Sequence, residues 1–142
     1  MSRTTFRLRT NGPGLYEITH EIADWLPGGD GVLTLFVRHT SCSLLIQENA
    51  DPDVQRDLMA WIDRLVPRAD TPDMRYLRHR SEGPDDMPAH IKAAHLPVSL
   101  SIPVAHGRMQ LGTWQGIYLW EHRDAPHDRT VAAQILTAPG QS

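Results

Sequence analysis

The sequence has little cysteine, few aromatic residues and no long apolar run. One cysteine among 142 residues, Cys42, excludes an internal disulfide bond. Every apolar run is far shorter than the roughly 20 residues that a membrane-spanning helix needs, and the opening MSRTTFRLRT lacks the apolar centre of a signal peptide. The net charge of −3, with acids and bases interspersed, provides no basic patch for nucleic acid. These absences predict a cytoplasmic protein that binds neither membranes nor nucleic acids.

The hydrophobic pattern predicts an α+β fold. Two helices are expected, one over residues 15–26 and one that starts with Asp51 as its N-cap and Pro52 in its first turn and ends before Pro67. We expect the second helix to bury one stripe, consisting of Val54, Leu58, Trp61, Ile62 and Leu65. Alternating or continuous apolar runs predict strands at residues 5–9, 32–37, 44–46, 98–104, 109–111, 117–120 and 129–137. Short links between strands imply antiparallel pairing. We therefore predict a single domain, residues 1–142, with a mainly antiparallel sheet or sandwich and two or three packed helices.

Residues 76–95, YLRHRSEGPDDMPAHIKAAH, are the most informative stretch of the chain. The stretch holds three histidines, three acids, two prolines and a glycine, which predicts an ordered polar loop that leads into a short helix. Loops on a rigid scaffold often carry binding and catalytic groups. The alternative is that His79 is a surface residue and Asp86 only caps the helix after Pro88.

Three histidines from this loop, this helix and a strand end form a candidate metal set. His79 and His90 come from the polar stretch, and His39 follows the buried strand at residues 32–37. Three protein ligands and one open position are the arrangement of a catalytic zinc site. Asp86 or Glu121 is a candidate to fix the tautomer of one of these histidines by a hydrogen bond to its other ring nitrogen.

Further polar residues are candidates for substrate binding. Arg38 and Arg108 offer guanidinium groups to a phosphate, although surface salt bridges are the alternative. Polar residues cluster where two buried strands meet, among them Thr40 and Ser41 in HTSCS. Other candidates are Asn49, Asp51 and Gln115. Cys42 in the same HTSCS string is better explained as a buried, inert thiol than as a nucleophile.

Three strings together resemble one known family. HTSCSLLIQENADPDVQRDL, YLRHRSEGPDDMPAHIKAAHL and SLSIPVAHGRMQLGTWQGIYLWEHR resemble the YjbQ-like family, whose members carry the name secondary thiamine-phosphate synthase enzyme. The resemblance covers residues 31–123 and implies a small α+β homotrimer with a polar site near the subunit boundary. Family motif positions fall on His39, His79, His90, Asn49, Asp51, Asp86, Gln115 and Glu121.

The resemblance also implies a reaction, the joining of hydroxymethylpyrimidine diphosphate to thiazole phosphate with loss of diphosphate. In that reaction the negative charge of the leaving diphosphate must be neutralised by a metal and by arginines. Three histidines suit zinc better than magnesium; Asp51, Asp85 and Asp86 are the alternative, magnesium-holding set. Two other functions remain open: a zinc-dependent hydrolase, and a non-enzymatic trimer that binds a metabolite.

Overall fold

Residues 1–139 are the part of the chain that the computed structural model describes, so the last three residues of the predicted domain lie outside it. Within this part, eight strands and three α-helices are present. The strands are β1 (Ser2–Thr10), β2 (Gly14–Glu17), β3 (Gly31–Val37), β4 (Cys42–Glu48), β5 (Ser99–Ala105), β6 (Arg108–Met109), β7 (Gln115–Glu121) and β8 (His127–Thr137). The helices are α1 (Thr19–Trp25), α2 (Pro52–Leu65) and α3 (Asp86–His95), with a 3₁₀ turn at Pro72–Met74.

The strands form two antiparallel sheets. One sheet has five strands in the order β1-β8-β3-β5-β6, and the other has three in the order β2-β7-β4. Every pairing between neighbouring strands is antiparallel. The sheets face each other across a shared core to which β3 contributes Leu33 and Leu35 and β4 contributes Leu44. The predicted α+β class and antiparallel pairing are confirmed.

Strand β7 is buried on both of its faces, which explains its continuous apolar run. Ile117 and Leu119 point into the core between the sheets. Tyr118 and Trp120 point the other way, where the Gln55 side chain donates to the Tyr118 hydroxyl at 3.2 Å. The structure is therefore layered: the five-stranded sheet, the three-stranded sheet, and helix α2 outside it.

Helix α2 begins as predicted but packs differently from the prediction. The Asp51 carboxylate accepts a hydrogen bond from the Asp53 backbone N–H at 2.9 Å, which confirms the N-cap. Of the stripe expected in the core, only Ile62 is fully buried, whereas Trp61 is 51% exposed and Leu65 is 49% exposed. The helix lies on one sheet and contacts it along a narrower strip than the apolar pattern suggests. None of the described helices is long and apolar enough to span a membrane.

The helix predicted at residues 15–26 is wrong in its first part. Leu15 and Tyr16 lie in β2, where they pair with Trp120 and Leu119 of β7. Helix α1 begins only at Thr19, and the buried Ile22 follows in its first turns. Pairing with β7 outweighs the local helical pattern, because β7 supplies backbone partners for residues 14–17.

A buried ion pair lies at the end of the sandwich where β1, β7 and β8 meet. The Arg129 guanidinium donates to both carboxylate oxygens of Glu121, and the Thr10 hydroxyl donates to the same carboxylate at 2.6 Å. Burial alone would raise the pKa of Glu121, but the hydrogen bonds from Arg129 and Thr10 outweigh it and lower the pKa below its usual 4.5. The carboxylate is therefore ionised throughout the neutral range.

Replacing one partner of this pair should destabilise the fold strongly. In Arg129→Met the Glu121 charge stays buried without its counter-ion, so we expect a loss of about 3–5 kcal/mol in the free energy of unfolding. Urea denaturation at pH 7 measures this loss. Arg9→Met is the matched control, because Arg9 pairs with Asp128 at the exposed surface and should cost no more than about 1 kcal/mol.

The difference between wild type and Arg129→Met should also depend on pH. Since the folded-state pKa of Glu121 is lowered, its stabilising contribution is complete above the unfolded pKa and is lost as pH falls through the folded pKa. The gap between the two proteins should therefore narrow below about pH 4. A gap that stays constant down to about pH 2 would contradict this account.

Candidate metal-binding site

Helix α3 and the loop before it bring two histidines and one acid together. Asp86 opens α3 and His90 follows four residues later, so both side chains lie on the same helix face. His79 reaches the same point from the loop. One ligand atom each from His79, Asp86 and His90 lie within 4.8 Å of one another. We call these three residues the histidine–aspartate cluster.

Asp86 is the centre of the cluster. Its Oδ2 is 2.7 Å from His79 Nε2, and its Oδ1 is 3.3 Å from His90 Nε2. Arg123 Nη1 lies 2.9 Å from Oδ1. Burial would raise the pKa of Asp86, but the hydrogen bond from His79 and the charges of Arg123 and His90 outweigh it, so its pKa is lowered. The buried carboxylate is ionised and bridges two imidazoles and a guanidinium.

The alternative in which Asp86 only caps the helix is wrong. Asp85, not Asp86, is the N-cap residue of α3, and no side chain accepts a capping hydrogen bond there. Asp86 lies inside the first turn, with its side chain directed at His79 and His90. Its carboxylate is therefore available to the cluster.

The His90 ring is held in one orientation. Its Nδ1 is 2.8 Å from the Thr40 carbonyl oxygen, which can only accept, so Nδ1 carries the proton. The lone pair of a neutral ring is then on Nε2, the atom that faces Asp86. A hydrogen bond from one ring nitrogen to a carbonyl is how metal-ligating histidines are commonly oriented.

This donor set fits a transition-metal ion. Two imidazole nitrogens and one carboxylate are found at catalytic zinc sites and in non-haem iron sites. The His79 side chain is 46% exposed and that of Asp86 is 2% exposed, so the cluster is anchored on one side and open on the other. The alternative magnesium set is not assembled among the described residues: Asp51 caps α2, and Asp85 accepts from Arg123 at 2.8 Å.

His39 lies beside the cluster but outside it. Its Nε2 accepts the Thr130 backbone N–H at 2.9 Å, so this nitrogen's lone pair is already used. Burial lowers the pKa of His39, and the nearby Arg129 charge lowers it further. His39 and His90 line a shallow cavity of about 270 Å³ with Thr40. The structure thus groups Asp86, rather than His39, with the other two histidines, and a ligand role for His39 stays a prediction.

The residues predicted to bind substrate lie in several places. Thr40 is at the cluster, through its carbonyl. Ser41 is buried, and its hydroxyl accepts from Arg129 at 3.0 Å. Asn49, Asp51 and Gln115 lie beyond or at the far ends of β4 and β7. The seven residues of β4 span roughly 20 Å, so within one chain these three side chains are remote from the cluster.

The two predicted phosphate-binding arginines also lie away from the cluster. Arg38 lines a hollow on the outer face of the five-stranded sheet with Phe36 and Thr34. Arg108 lies in the short edge strand β6 and is exposed. Their substrate-binding roles stay predictions, and no arginine other than Arg123 contacts the cluster within residues 1–139.

Glu121 supports the site from a distance. Its Oε2 accepts the backbone N–H groups of His122 and Arg123 at 3.0 and 3.2 Å, in addition to the bonds from Arg129 and Thr10. All of its acceptor positions face protein donors and it is fully buried. This geometry favours a positioning role; direct contact with a substrate stays a prediction.

Arg123 is the site residue that sequence reasoning missed. Its guanidinium connects Asp85, at 2.8 Å from Nε, with Asp86, at 2.9 Å from Nη1. Arg123 is 37 residues from Asp86 in the sequence, and one arginine among 14 basic residues gives no signal of this contact. Cys42, by contrast, is buried as expected, and burial raises its thiol pKa to about 12, so it is no nucleophile at neutral pH.

Together, fold and site define a class: a small two-sheet α+β protein with a histidine–aspartate cluster beside its three-stranded sheet. A sequence profile described as UPF0047 protein YjbQ-like matches residues 4–138. The chain therefore belongs to the YjbQ-like family, and the resemblance drawn from its motifs is confirmed.

Individual relatives agree with this assignment. The chain is 55% identical over 105 residues to a UPF0047 protein of Synechocystis, covering 74% of this chain and 69% of the relative. It is 44% identical over 135 residues to the UPF0047 protein YjbQ of Salmonella typhimurium, covering 92% and 94% of the two chains. A conserved hypothetical protein of Thermus thermophilus has the same fold, with a TM-score of 0.82, 34% identity and coverage of 94% and 99%.

Proposed function

We propose that this protein is an enzyme that acts on a small molecule with the help of one divalent transition-metal ion held by His79, Asp86 and His90. The observation that supports the proposal is the convergence of these three ligand atoms within 4.8 Å, with the His90 tautomer set by Thr40. Zinc suits this donor set better than magnesium, which prefers carboxylate and water oxygens.

Hydrolysis is the reaction that the surroundings of the cluster favour. A bound ion of this kind supplies Lewis acidity and lowers the pKa of a coordinated water. Glu82 lies at the open side, with its Oε2 3.8 Å from His79 Nε2, and we assign to it the transfer of a proton to and from substrate. The hydrogen bond from His79 and the charge of Arg123 keep Asp86 ionised, and the Thr40 carbonyl keeps the His90 ring in place.

Thiamine-phosphate synthesis is the second candidate, favoured by the motif resemblance. It requires cations around a leaving diphosphate, but Arg38 and Arg108 are directed elsewhere within one chain. Arg123 is close enough, although its donors are engaged by Asp85, Asp86 and the Glu82 carbonyl. Hydrolysis therefore stands first, and a non-enzymatic metabolite-binding role stands third.

Metal content tests the assignment of ligands. We expect wild type to bind about one zinc ion per chain, and His79→Ala, His90→Ala and Asp86→Ala to bind it at least ~10-fold more weakly, because each loses one of three protein ligands. Elemental analysis after dialysis against zinc, with titration by a chelating dye, gives both occupancy and affinity.

Two histidine variants serve as matched controls for this measurement. His95→Ala changes an exposed histidine of the same helix, whose ring binds the Ile91 carbonyl, and should leave zinc binding unchanged. His39→Ala should also retain zinc if Asp86 completes the set, but should lose it if the three histidines do. Full zinc affinity in His90→Ala would contradict the site.

Reaction type is tested with a panel of phosphate esters, carboxylic esters and amides, together with the two thiamine precursors. We expect zinc-loaded wild type to hydrolyse at least one panel member, His90→Ala to be inactive, and Glu82→Gln to lose roughly 10²-fold in kcat with its zinc intact, since positioned proton transfer contributes on that scale. Glu21→Gln on α1 is the control. Thiamine-phosphate formation without any hydrolysis would favour the second candidate instead.

We also propose a cytoplasmic homotrimer. The trimer is implied by the family resemblance, and the outer face of the five-stranded sheet is a suitable contact surface. On that face Val32, Phe36 and Leu136 are 47%, 47% and 59% exposed and lie in neighbouring strands. Exposed apolar patches of this kind mark interaction surfaces.

Light scattering with a single charge substitution tests this arrangement. Wild type should have three times the mass of one chain, and Phe36→Arg should have a smaller mass because it places a charge in the contact. Trp61→Arg on α2 is the control, since it changes an equally exposed aromatic residue elsewhere. If Phe36→Arg remains a trimer and Trp61→Arg does not, the subunit interface lies at α2 instead of the outer face of the five-stranded sheet.

A further inference from the structure

His39 lies next to the histidine–aspartate cluster and lines a cavity that the cluster does not fill. The residue follows β3, and its Nε2 accepts the Thr130 backbone N–H of β8 at 2.9 Å. The same ring lines the shallow cavity of about 270 Å³ together with Thr40 and His90. Because His90 also belongs to the cluster, this cavity adjoins the proposed metal position. We call it the His39 cavity.

The hydrogen bond from Thr130 fixes the tautomer of the His39 ring. A backbone N–H can only donate, so Nε2 is the nitrogen without a proton, and Nδ1 of the neutral ring carries it. Burial lowers the pKa of His39, and the charge of Arg129 lowers it further, which agrees with a neutral imidazole at neutral pH. His39 therefore offers one hydrogen-bond donor, the N–H of Nδ1.

This Nδ1–H group has no acceptor in the described part of the chain. Among residues 1–139 the ring bonds only through Nε2, to the backbone N–H and the hydroxyl of Thr130. No buried side-chain nitrogen of these residues lacks a partner, so Nδ1 is accessible from outside the protein. In an imidazole the Nδ1–H bond points away from the Nε2 lone pair. With Nε2 bound to β8, the N–H is thus directed away from that strand and towards the cavity.

The rest of the His39 cavity is mainly apolar. Helix α3 supplies Ala93 and Ala94, and Val98 lies just before β5. The described lining includes no lysine or arginine, so it has no cation to neutralise the charges of a phosphate ester. One neutral donor instead suits the single oxygen that becomes negative when water adds to a carbonyl carbon. The small alanine side chains leave space for a short acyl chain.

We propose that the His39 cavity binds the acyl group of a short-chain carboxylic ester or amide, whose carbonyl oxygen accepts a hydrogen bond from His39 Nδ1. This inference rests on the hydrolysis proposed above and names its substrate class. Water oxygen bonds to the carbonyl carbon, the negative carbonyl oxygen is stabilised by Nδ1–H, and the bond to the alcohol oxygen or amine nitrogen then breaks. Glu82 carries the proton from that water to the departing alcohol or amine, and the carboxylic acid is the second product.

Two substitutions of His39 separate the donor from a structural role. Asn places an amide N–H near the position of Nδ1 but does not reach Thr130, whereas Gln reaches Thr130 with its oxygen and has no donor near Nδ1. With zinc content confirmed in both, we expect His39→Gln to lose about 10²-fold in kcat towards an acetate ester and His39→Asn to stay within about tenfold of wild type, since one oxyanion donor contributes on that scale. The opposite order would show a structural role only and overturn the proposal.

Ala94→Leu tests where the acyl chain binds. Ala94 is an exposed residue of α3 that lines the cavity, so a larger side chain narrows the cavity without disturbing the core. We expect about a tenfold or greater loss in kcat/KM for a butyrate ester and a smaller loss for an acetate ester, because the added methylenes lose their space. Ala60→Leu is the matched control, since Ala60 is exposed on α2 outside the cavity. Equal values for wild type and Ala94→Leu with the butyrate ester would contradict the proposal.

Nitrogen NMR of isotope-labelled histidine rings in the metal-free protein tests the donor without turnover. The His39 signals, assigned by their loss in His39→Asn, should show a neutral ring protonated on Nδ1. Butyramide, which has the same carbonyl group and chain as the ester, should shift the Nδ1 signal in wild type and less in Ala94→Leu. If no ester or amide is hydrolysed but butyramide shifts this signal, the hydrolase proposal fails and the carbonyl site remains. A ring protonated on Nε2, or a signal that butyramide does not shift, overturns the inference.

Discussion

The buried Glu121–Arg129 ion pair is the interaction on which the arrangement of the site depends. It joins β7 to β8 at the end of the sandwich, and Thr10 adds β1 to the same carboxylate. The Arg129 guanidinium also donates to the Ser41 carbonyl and hydroxyl at 3.3 and 3.0 Å. A buried charge pair is costly unless its hydrogen bonds are complete, and here every acceptor of Glu121 is used.

The consequences of this pair reach the histidine–aspartate cluster by two routes. Arg129 fixes Ser41, and the neighbouring Thr40 carbonyl accepts a hydrogen bond from His90 Nδ1–H at 2.8 Å. Glu121 fixes the backbone of residues 122 and 123, and Arg123 is thereby aimed at Asp86. The polar groups at the sandwich end thus hold the cluster from both sides.

Much of the fold was predictable because it rests on local patterns. Continuous or alternating apolar runs located β3 and β5, and Asp51 and Pro52 marked the start of α2. The predictions failed where a partner distant in sequence decides the structure: β2 forms because β7 supplies its backbone hydrogen-bond partners, and Trp61 is exposed because α2 contacts the sheet along a narrow strip. In the site, His79, His90 and Asp86 were predictable from one polar stretch. Two contacts were not predictable: the ion pairs of Arg123 with Asp85 and Asp86, and the hydrogen bond from the Thr130 backbone N–H to His39. Their partners are too far apart in sequence to produce a local sequence pattern.

The shared carboxylate of Asp86 limits what the cluster can be. His79 Nε2 donates a hydrogen bond to Asp86 Oδ2 at 2.7 Å, so an ion held by both atoms would replace the proton between them. Arg123, whose Nη1 is 2.9 Å from Oδ1, draws charge from that oxygen and weakens it as a ligand. Oδ2 and the two ring nitrogens then remain as the strongest donors, which favours a small, strongly polarising ion over magnesium. The same guanidinium is held on its other side by Asp85, at 2.8 Å from its Nε, so its position beside Asp86 is fixed.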